Sequence, residues 1–419
     1  MNKLLYAGLA VVLAASGACA TQPAGDDRVH ARGPITFVDG RDTTQDRQVE
    51  RLVERWNNRR GIKEQVTFVE QSPSSDSHRA SLVAAAQDGA LPGARGRCND
   101  VIVVDAVWTA EFARAGYLLP LNPDEFDIGK FLRVPVENAT VDGKLYAIPG
   151  RTDAGLLFYR KDYLDAQGLR PPKSWDELIA IANKLRPIYG IDGYVGQLQR
   201  YEGLTVNALE AIWSKGGNLT TDHAITINSP QAKQGVEMLA MGLRDGWIPR
   251  AATGFNEERS REHFQAGKAL FMRNWPYVYP IMTAPDSPIA AAVGVTTLPG
   301  PSALGGWNLA ISPCSQHQET ARDFIRFYTE ESEQRELFAK GGFAPTVRSL
   351  YADPVLRSKF PYLEHLHHSL DTARDRVQTP QYDRVSDLIQ ESLHNALDRP
   401  EGVPLRLDQL ADDMRTTLR

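Results

Sequence analysis

Cysteine is scarce in this chain, with three in 419 residues. That is too few for a disulfide-dense scaffold. Long apolar runs are missing as well. No segment reaches the roughly 20 consecutive apolar residues that a membrane span needs. Cations are not in excess: Lys and Arg total 47 against 52 Asp and Glu, a formal net charge of −5. A nucleic-acid binder would usually show a basic face instead. Glycine spacings of the Walker or Rossmann type are absent, and no Ser/His/Asp or Cys/His constellation stands out. The histidines of Glu364-His-Leu-His-His368 crowd one probable helix without a second ligand cluster, so neither a metal nor a cofactor is expected. What remains is ordinary globular composition, 42% hydrophobic and 24% charged, long enough for two domains.

The N-terminus reads MNKLLYAGLAVVLAASGAC. One early Lys, a short apolar run and small residues before a cysteine have the form of an export signal. The end of this run resembles the bacterial lipobox, which implies lipidation of Cys19. Ser16 stands where the usual lipobox has Leu. A signal over residues 1–19 and a flexible tether over 20–33 are expected, since the latter has no apolar periodicity. An exported protein held to the outer face of the cytoplasmic membrane would follow. In such a compartment the remaining pair, Cys98 and Cys314, reads as a disulfide.

Beyond the tether, short apolar strands alternate with amphipathic helices. Ile35–Val38, Val66–Val69 and Asp100–Asp105 read as strands, with helices between them carrying apolar residues at helical spacing. This order predicts a parallel, helix-covered sheet. Ligands of such sheets bind beyond the carboxyl ends of the strands. Asp42, Gln45, Gln71 and Asp105 lie on those ends or the loops that leave them. The second half repeats the alternation. A helix over Trp175–Leu185 is predicted with Ser174 as its cap and Glu177 three residues on. The aromatic stretch Arg273-Asn-Trp275-Pro-Tyr277 then leaves a strand at Ala269–Met272. Read as extended, it would point Trp275 and Tyr277 the same way.

Five motifs occur in register: Asp105-Ala-Val-Trp108, the run from Asp153 to Asp162, Tyr201-Glu-Gly-Leu204, Arg273 to Tyr277, and Leu304-Gly-Gly-Trp307. Together they resemble the extracellular solute-binding proteins of carbohydrate ABC importers, nearest the branch that binds trehalose and maltose-like disaccharides and includes mycobacterial-type trehalose-binding lipoproteins. The resemblance implies an α/β fold of the periplasmic-binding-protein type, with two lobes joined by several crossing strands. Lobe one would take residues 34–149 and 306–344, lobe two 150–305 and 345–419. Cys98 and Cys314 then share a lobe.

The resemblance also implies a monomer with a disaccharide in the interlobe cleft, trehalose first and maltose or related α-glucosides next, delivered to the importer's permease without catalysis. Aromatic rings cover the C–H faces of a sugar, and charged groups hydrogen-bond its hydroxyl rim. On that basis Asp105, Asp153, Glu202, Trp275, Tyr277, Gly306, Trp307 and Arg376 are the expected sugar-binding residues, with Asp42, Gln45 and Gln71 as further first-lobe candidates. Arg348 competes with Arg376 and reads better as a surface or hinge residue. Close relatives often carry an aromatic residue where this chain has Arg151, which would pair with Asp153 or bond the ligand. Two other classes share these features. A secreted glycoside hydrolase would also place carboxylates and tryptophans beside a sugar, and a sugar-sensing lipoprotein would keep the cleft without a permease.

Overall fold

The computed structural model describes residues 27–418 apart from positions 43, 45, 73, 90–97 and 222–223. Cys19 and Gln45 therefore lie outside the described residues. Among those described, no helix is long and apolar enough to cross a membrane.

Two sheets carry the fold. The first contains β1 (Ile35–Gly40), β2 (Val66–Gln71), β3 (Val101–Asp105) and β4 (Ile148–Ala154). The second contains β5 (Leu156–Arg160), β6 (Asp192–Val195), β7 (Ala269–Asn274) and β8 (Val293–Thr297). The chain then returns to the first sheet as β9 (Leu304–Ile311). Their orders are β2-β1-β3-β9-β4 and β8-β5-β7-β6. β1 pairs parallel with both β2 and β3, as the alternation predicts. β9 runs antiparallel to β3 and β4, so the sheet is mixed. Val101 to Val104 are buried on both faces, which is why this strand reads as a continuous apolar run rather than an alternation.

Local chemistry sets the helix ends. Ser174 Oγ accepts from the Glu177 amide at 3.1 Å, and the Glu177 carboxylate accepts from the Lys173 amide at 2.7 Å. The helix Pro230–Asp245 starts on a Ser229 cap with Pro at its first position and stops at Gly246, φ 75°. Both are favoured terminal devices.

Sheet membership moves the expected boundaries by a few residues. β4 stays in sheet one through Ala154, and β9 rejoins it at Leu304. The chain therefore crosses at Gly155 and again between β8 and β9. The C-terminal portion does not belong wholly to lobe two. Leu363–Asp371 packs on β4 as well as on β5 and β8, while Tyr382–Leu397 and Val403–Thr417 pack into the second core cluster with Leu157 and Leu209. The expected tether also needs correction from Asp27 onward. Arg28 donates to the Pro313 carbonyl, Arg32 pairs with Asp323 at 2.8 Å, and the Gly33 amide bonds Thr320 at 3.1 Å. These residues are part of the first lobe's surface. Cys98 and Cys314, 216 positions apart, are bonded.

Candidate ligand-binding cleft

The aromatic stretch does not run extended. β7 ends at Asn274, Pro276 and Tyr277 form a turn, and a short helix, Val278–Met282, follows. Proline fixes φ near the helical value and suits such a turn. Trp275 and Tyr277 consequently occupy different surroundings. The Trp275 indole lies over the Arg273 guanidinium, 3.8 Å from carbon to ring centroid, and its Nε1 donates to Glu257 at 3.4 Å. The Tyr277 hydroxyl donates to Glu258 at 2.7 Å. Glu257 also accepts the Tyr201 hydroxyl at 2.6 Å, so the start of the helix Glu257–Gln265 anchors the aromatic wall. Tyr279 packs on Tyr362 at 4.5 Å and belongs to the core side.

Asp153 sits next to this wall. A Cβ on Gly305 would lie 2.9 Å from the Trp275 ring and 3.2 Å from the Asp153 Cβ. Glycine is thus required for indole, carboxylate and strand β9 to approach one another. Asp153 is partly buried, and among the described residues its carboxylate has no hydrogen-bond or ion-pair partner. Burial pushes its pKa up to about 7; neighbouring Asp105 adds to the rise, while Arg151 and Arg273 oppose it. A carboxylate so placed is deficient in donors, and sugar hydroxyls are donors.

Asp105 and Glu202 meet through Arg376. The guanidinium donates to Glu202 at 2.7 Å, to Asp105 at 3.0 Å and to the Leu304 carbonyl at 3.3 Å. Its Nε is buried and has no partner among the described residues. Glu202 also accepts the Tyr382 hydroxyl at 2.6 Å and the Ser386 hydroxyl. Burial raises the Glu202 pKa, and Arg376 is the strongest opposing influence. The three predicted residues are therefore brought together, as a network linking strand β3 of lobe one to the first turn of a lobe-two helix.

Arg151 does not pair with Asp153. It forms a bidentate pair with Asp39 at 2.7 and 2.8 Å, between the rings of Trp307 and Phe343. Trp307 stacks on His78 at 5.5 Å and meets Trp108 edge-on at 5.6 Å. Gly306, at φ 120°, would place a Cβ 2.6 Å from the Arg151 carbonyl. Here glycine serves backbone packing between β9 and β4. Asp42 is a correction to the expected set: its carboxylate accepts from Thr44 and from the Val49 and Glu50 amides, closing the start of the helix Gln48–Arg60. Gln71 ends an edge strand level with Gly40. Arg348 is exposed and bonds the Phe131 carbonyl at 2.9 Å.

Residues not anticipated are Asp39, His78, Glu210, Glu257 and Gly305. His78 is 1% exposed, and among the described residues neither ring nitrogen has a partner. Burial lowers its pKa, so the imidazole stands neutral on the lobe-one wall. The Gly-Gly doublet was a usable signal for Gly305; the others depend on long-range pairing. Among the described residues, no group of three or more His, Cys, Asp or Glu is arranged to hold a metal ion.

An open cavity of about 620 Å³ lies in a separate groove lined by Asp46, Tyr279, Asp286, Lys340, Lys359 and Phe360. Neither Asp153 nor Trp275 lines it. The cleft is assigned instead to the place where unpartnered polar groups and an aromatic ring converge, which is the general signature of a small-molecule site. Gly305→Ala should therefore push the indole aside. Ligand affinity is expected to fall roughly tenfold, about 1.4 kcal/mol, with little change in melting temperature. Calorimetric titration together with thermal melting reads both.

Two α/β lobes joined by crossing strands, with these groups gathered at the crossing, define a protein that holds a ligand between its lobes. The chain belongs to the bacterial extracellular solute-binding proteins, whose family model matches residues 52–360. A probable ABC transporter-binding protein of Deinococcus radiodurans is 36% identical over 324 residues, 73% of this chain and 76% of that protein. Maltose-bound MalE3 of T. maritima superposes with a TM-score of 0.85 at 32% identity, covering 92% of this chain and 100% of that one. A D-mannitol-bound protein of Agrobacterium vitis, TM-score 0.75 over 92% and 98% of the two chains, is 21% identical and shows the fold alone.

Proposed function

We propose that this chain is the sugar-capturing component of an ABC importer. It takes a disaccharide, trehalose first and maltose or a related α-glucoside next, and presents it to a membrane permease. The observation that carries the reading is the donor-deficient Asp153 beside the Trp275 ring at the lobe crossing. The 32% identity to a maltose-bound structure supports an α-glucoside. The reading includes export by residues 1–19 and a lipid anchor at Cys19.

Capture works by hinge closure, as in other two-lobe binding proteins. Contacts made only when both lobes meet the ligand stabilise the closed form. Asp105 on β3 and Glu202 on the opposing lobe are positioned for such contacts through Arg376.

Titration calorimetry with trehalose, maltose, sucrose and glucose side by side tests the assignment. Micromolar or tighter binding of trehalose alone is expected for a dedicated importer, and heat from maltose as well for a broader α-glucoside receptor. Silence from all four in a folded protein removes the ligand assignment. Release of monosaccharide during incubation would show a hydrolase instead.

A further inference from the structure

We propose that the cleft favours glycosides carrying an ammonium group and rejects anionic ones, because each guanidinium around Asp153 is already engaged by a carboxylate. This inference rests on the sugar-capture reading above. Arg151 gives both terminal nitrogens to Asp39. Arg376 is divided between Glu202 and Asp105. Arg273 donates to Glu210 at 2.8 and 2.7 Å. Three guanidinium groups thus stand among six carboxylates: Asp39, Asp105, Asp153, Glu202, Glu210 and Glu257. Among the described residues, the Asp153 carboxylate has no partner, and the Glu257 carboxylate receives only the neutral donors Tyr201 and Trp275.

A ligand phosphate or uronate would enter against this excess, in surroundings where like charges interact strongly. An ammonium would supply what Asp153 lacks. A second observation points the same way. Among the described residues, His78, 1% exposed and stacked on Trp307 in lobe one, has no partner for either ring nitrogen. Its neighbours include Asp39, Arg151 and Asp105, and burial keeps it neutral. One nitrogen of a neutral imidazole accepts a hydrogen bond, which suits an N–H or O–H of the ligand and adds no cation to the site.

Proton linkage gives an independent readout. Asp153 feels Arg151, Asp105 and Arg273, and its charge in turn reaches Tyr351 and Tyr362 on the C-terminal segment. With its pKa up at about 7, capture of a cation draws the carboxyl into its ionised form and releases a proton near neutrality.

The test is calorimetry on the full chain at pH 7, in two buffers of different ionisation enthalpy. The probes are trehalose and maltose, their amino-deoxy derivatives at each hydroxyl-bearing position, and their 6-phosphates. At least one amino derivative is expected to bind tenfold or more tighter than its parent, with proton release, and the 6-phosphates at least tenfold weaker. In Asp153→Asn parent and amino sugars should both bind more weakly, with the amino derivative losing at least tenfold more, so that the amino-to-parent affinity ratio falls to about one. If the parent binds and no amino derivative exceeds it, or if a 6-phosphate equals it, the charge preference is overturned and sugar capture stands. If no sugar of any charge binds the folded protein, both readings fall.

Discussion

Glu210→Ala is expected to destabilise the protein by about 3–5 kcal/mol, the usual consequence of removing one partner from a buried ion pair. Glu210 and Arg273 are 4% and 1% exposed. The pair is bidentate, and Arg273 also donates to Gln197 at 3.2 Å. Glu210 Oε1 accepts in addition from the Ser302 hydroxyl at 3.2 Å and the Ala303 amide at 3.1 Å. Ser302 in turn receives the Gly155 amide at 2.5 Å. A Cβ at Gly155 would come within 2.8 Å of both Arg273 and Glu210. The pair therefore fastens both places where the chain passes between the sheets, at Gly155 and just before β9. Its loss would leave a buried guanidinium uncompensated and the Ala303 amide and the Ser302 hydroxyl without this acceptor. Glu210→Gln keeps the shape and one acceptor and should fall between the variant and the parent. Chemical denaturation followed by circular dichroism measures all three. A loss below about 1 kcal/mol, the scale of one ordinary hydrogen bond, would show that the crossing is held by something else.

The legibility of this molecule in its sequence follows the range of the interactions involved. Pro230–Asp245 is legible at both ends because Ser229, Pro230 and Gly246 punctuate it locally. The helix Ser75–Gly89 is harder to bound from sequence, because its first turn is polar and the whole length buries just His78 and Leu82. The parallel arrangement of β1, β2 and β3 followed from strand and helix alternation, but the antiparallel return of β9 between β3 and β4 did not. Asp153, Glu202 and Arg376 read as separate candidates in the sequence. Their different situations are not legible there, since Arg376 meets Glu202 across 174 positions and Asp105 across 271. For Arg151 the sequence suggests pairing with Asp153 or bonding the ligand, yet its carboxylate partner is Asp39, 112 residues away. Asp42 is the opposite case. Its role as a helix-start acceptor is written within eight residues of it, although a polar loop beyond a strand end is equally the place for a ligand contact.

Trp275→Ala is expected to weaken sugar binding about a hundredfold, or 2.7 kcal/mol, while leaving the fold intact. Aromatic anchors in desolvated clefts commonly carry effects of this size. The indole is placed by three different restraints: the Arg273 guanidinium beneath it, Glu257 at its Nε1 and Gly305 at its ring edge. A rigid, partly exposed ring held this way loses little entropy when a sugar face settles on it. Removing it takes away apolar cover from the ligand and also opens Asp153 to water, so the carboxylate would bond solvent in competition with the sugar. The Arg273–Glu210 pair remains, which is why native circular dichroism is expected. Trp275→Phe retains a ring over Arg273 but loses the Glu257 bond, and should bind with an intermediate affinity. Calorimetric titration of both variants with the parent's best disaccharide gives the comparison. Parent-like affinity in a natively folded Trp275→Ala protein would reduce the indole to a cover for Arg273 and move the ligand away from this wall.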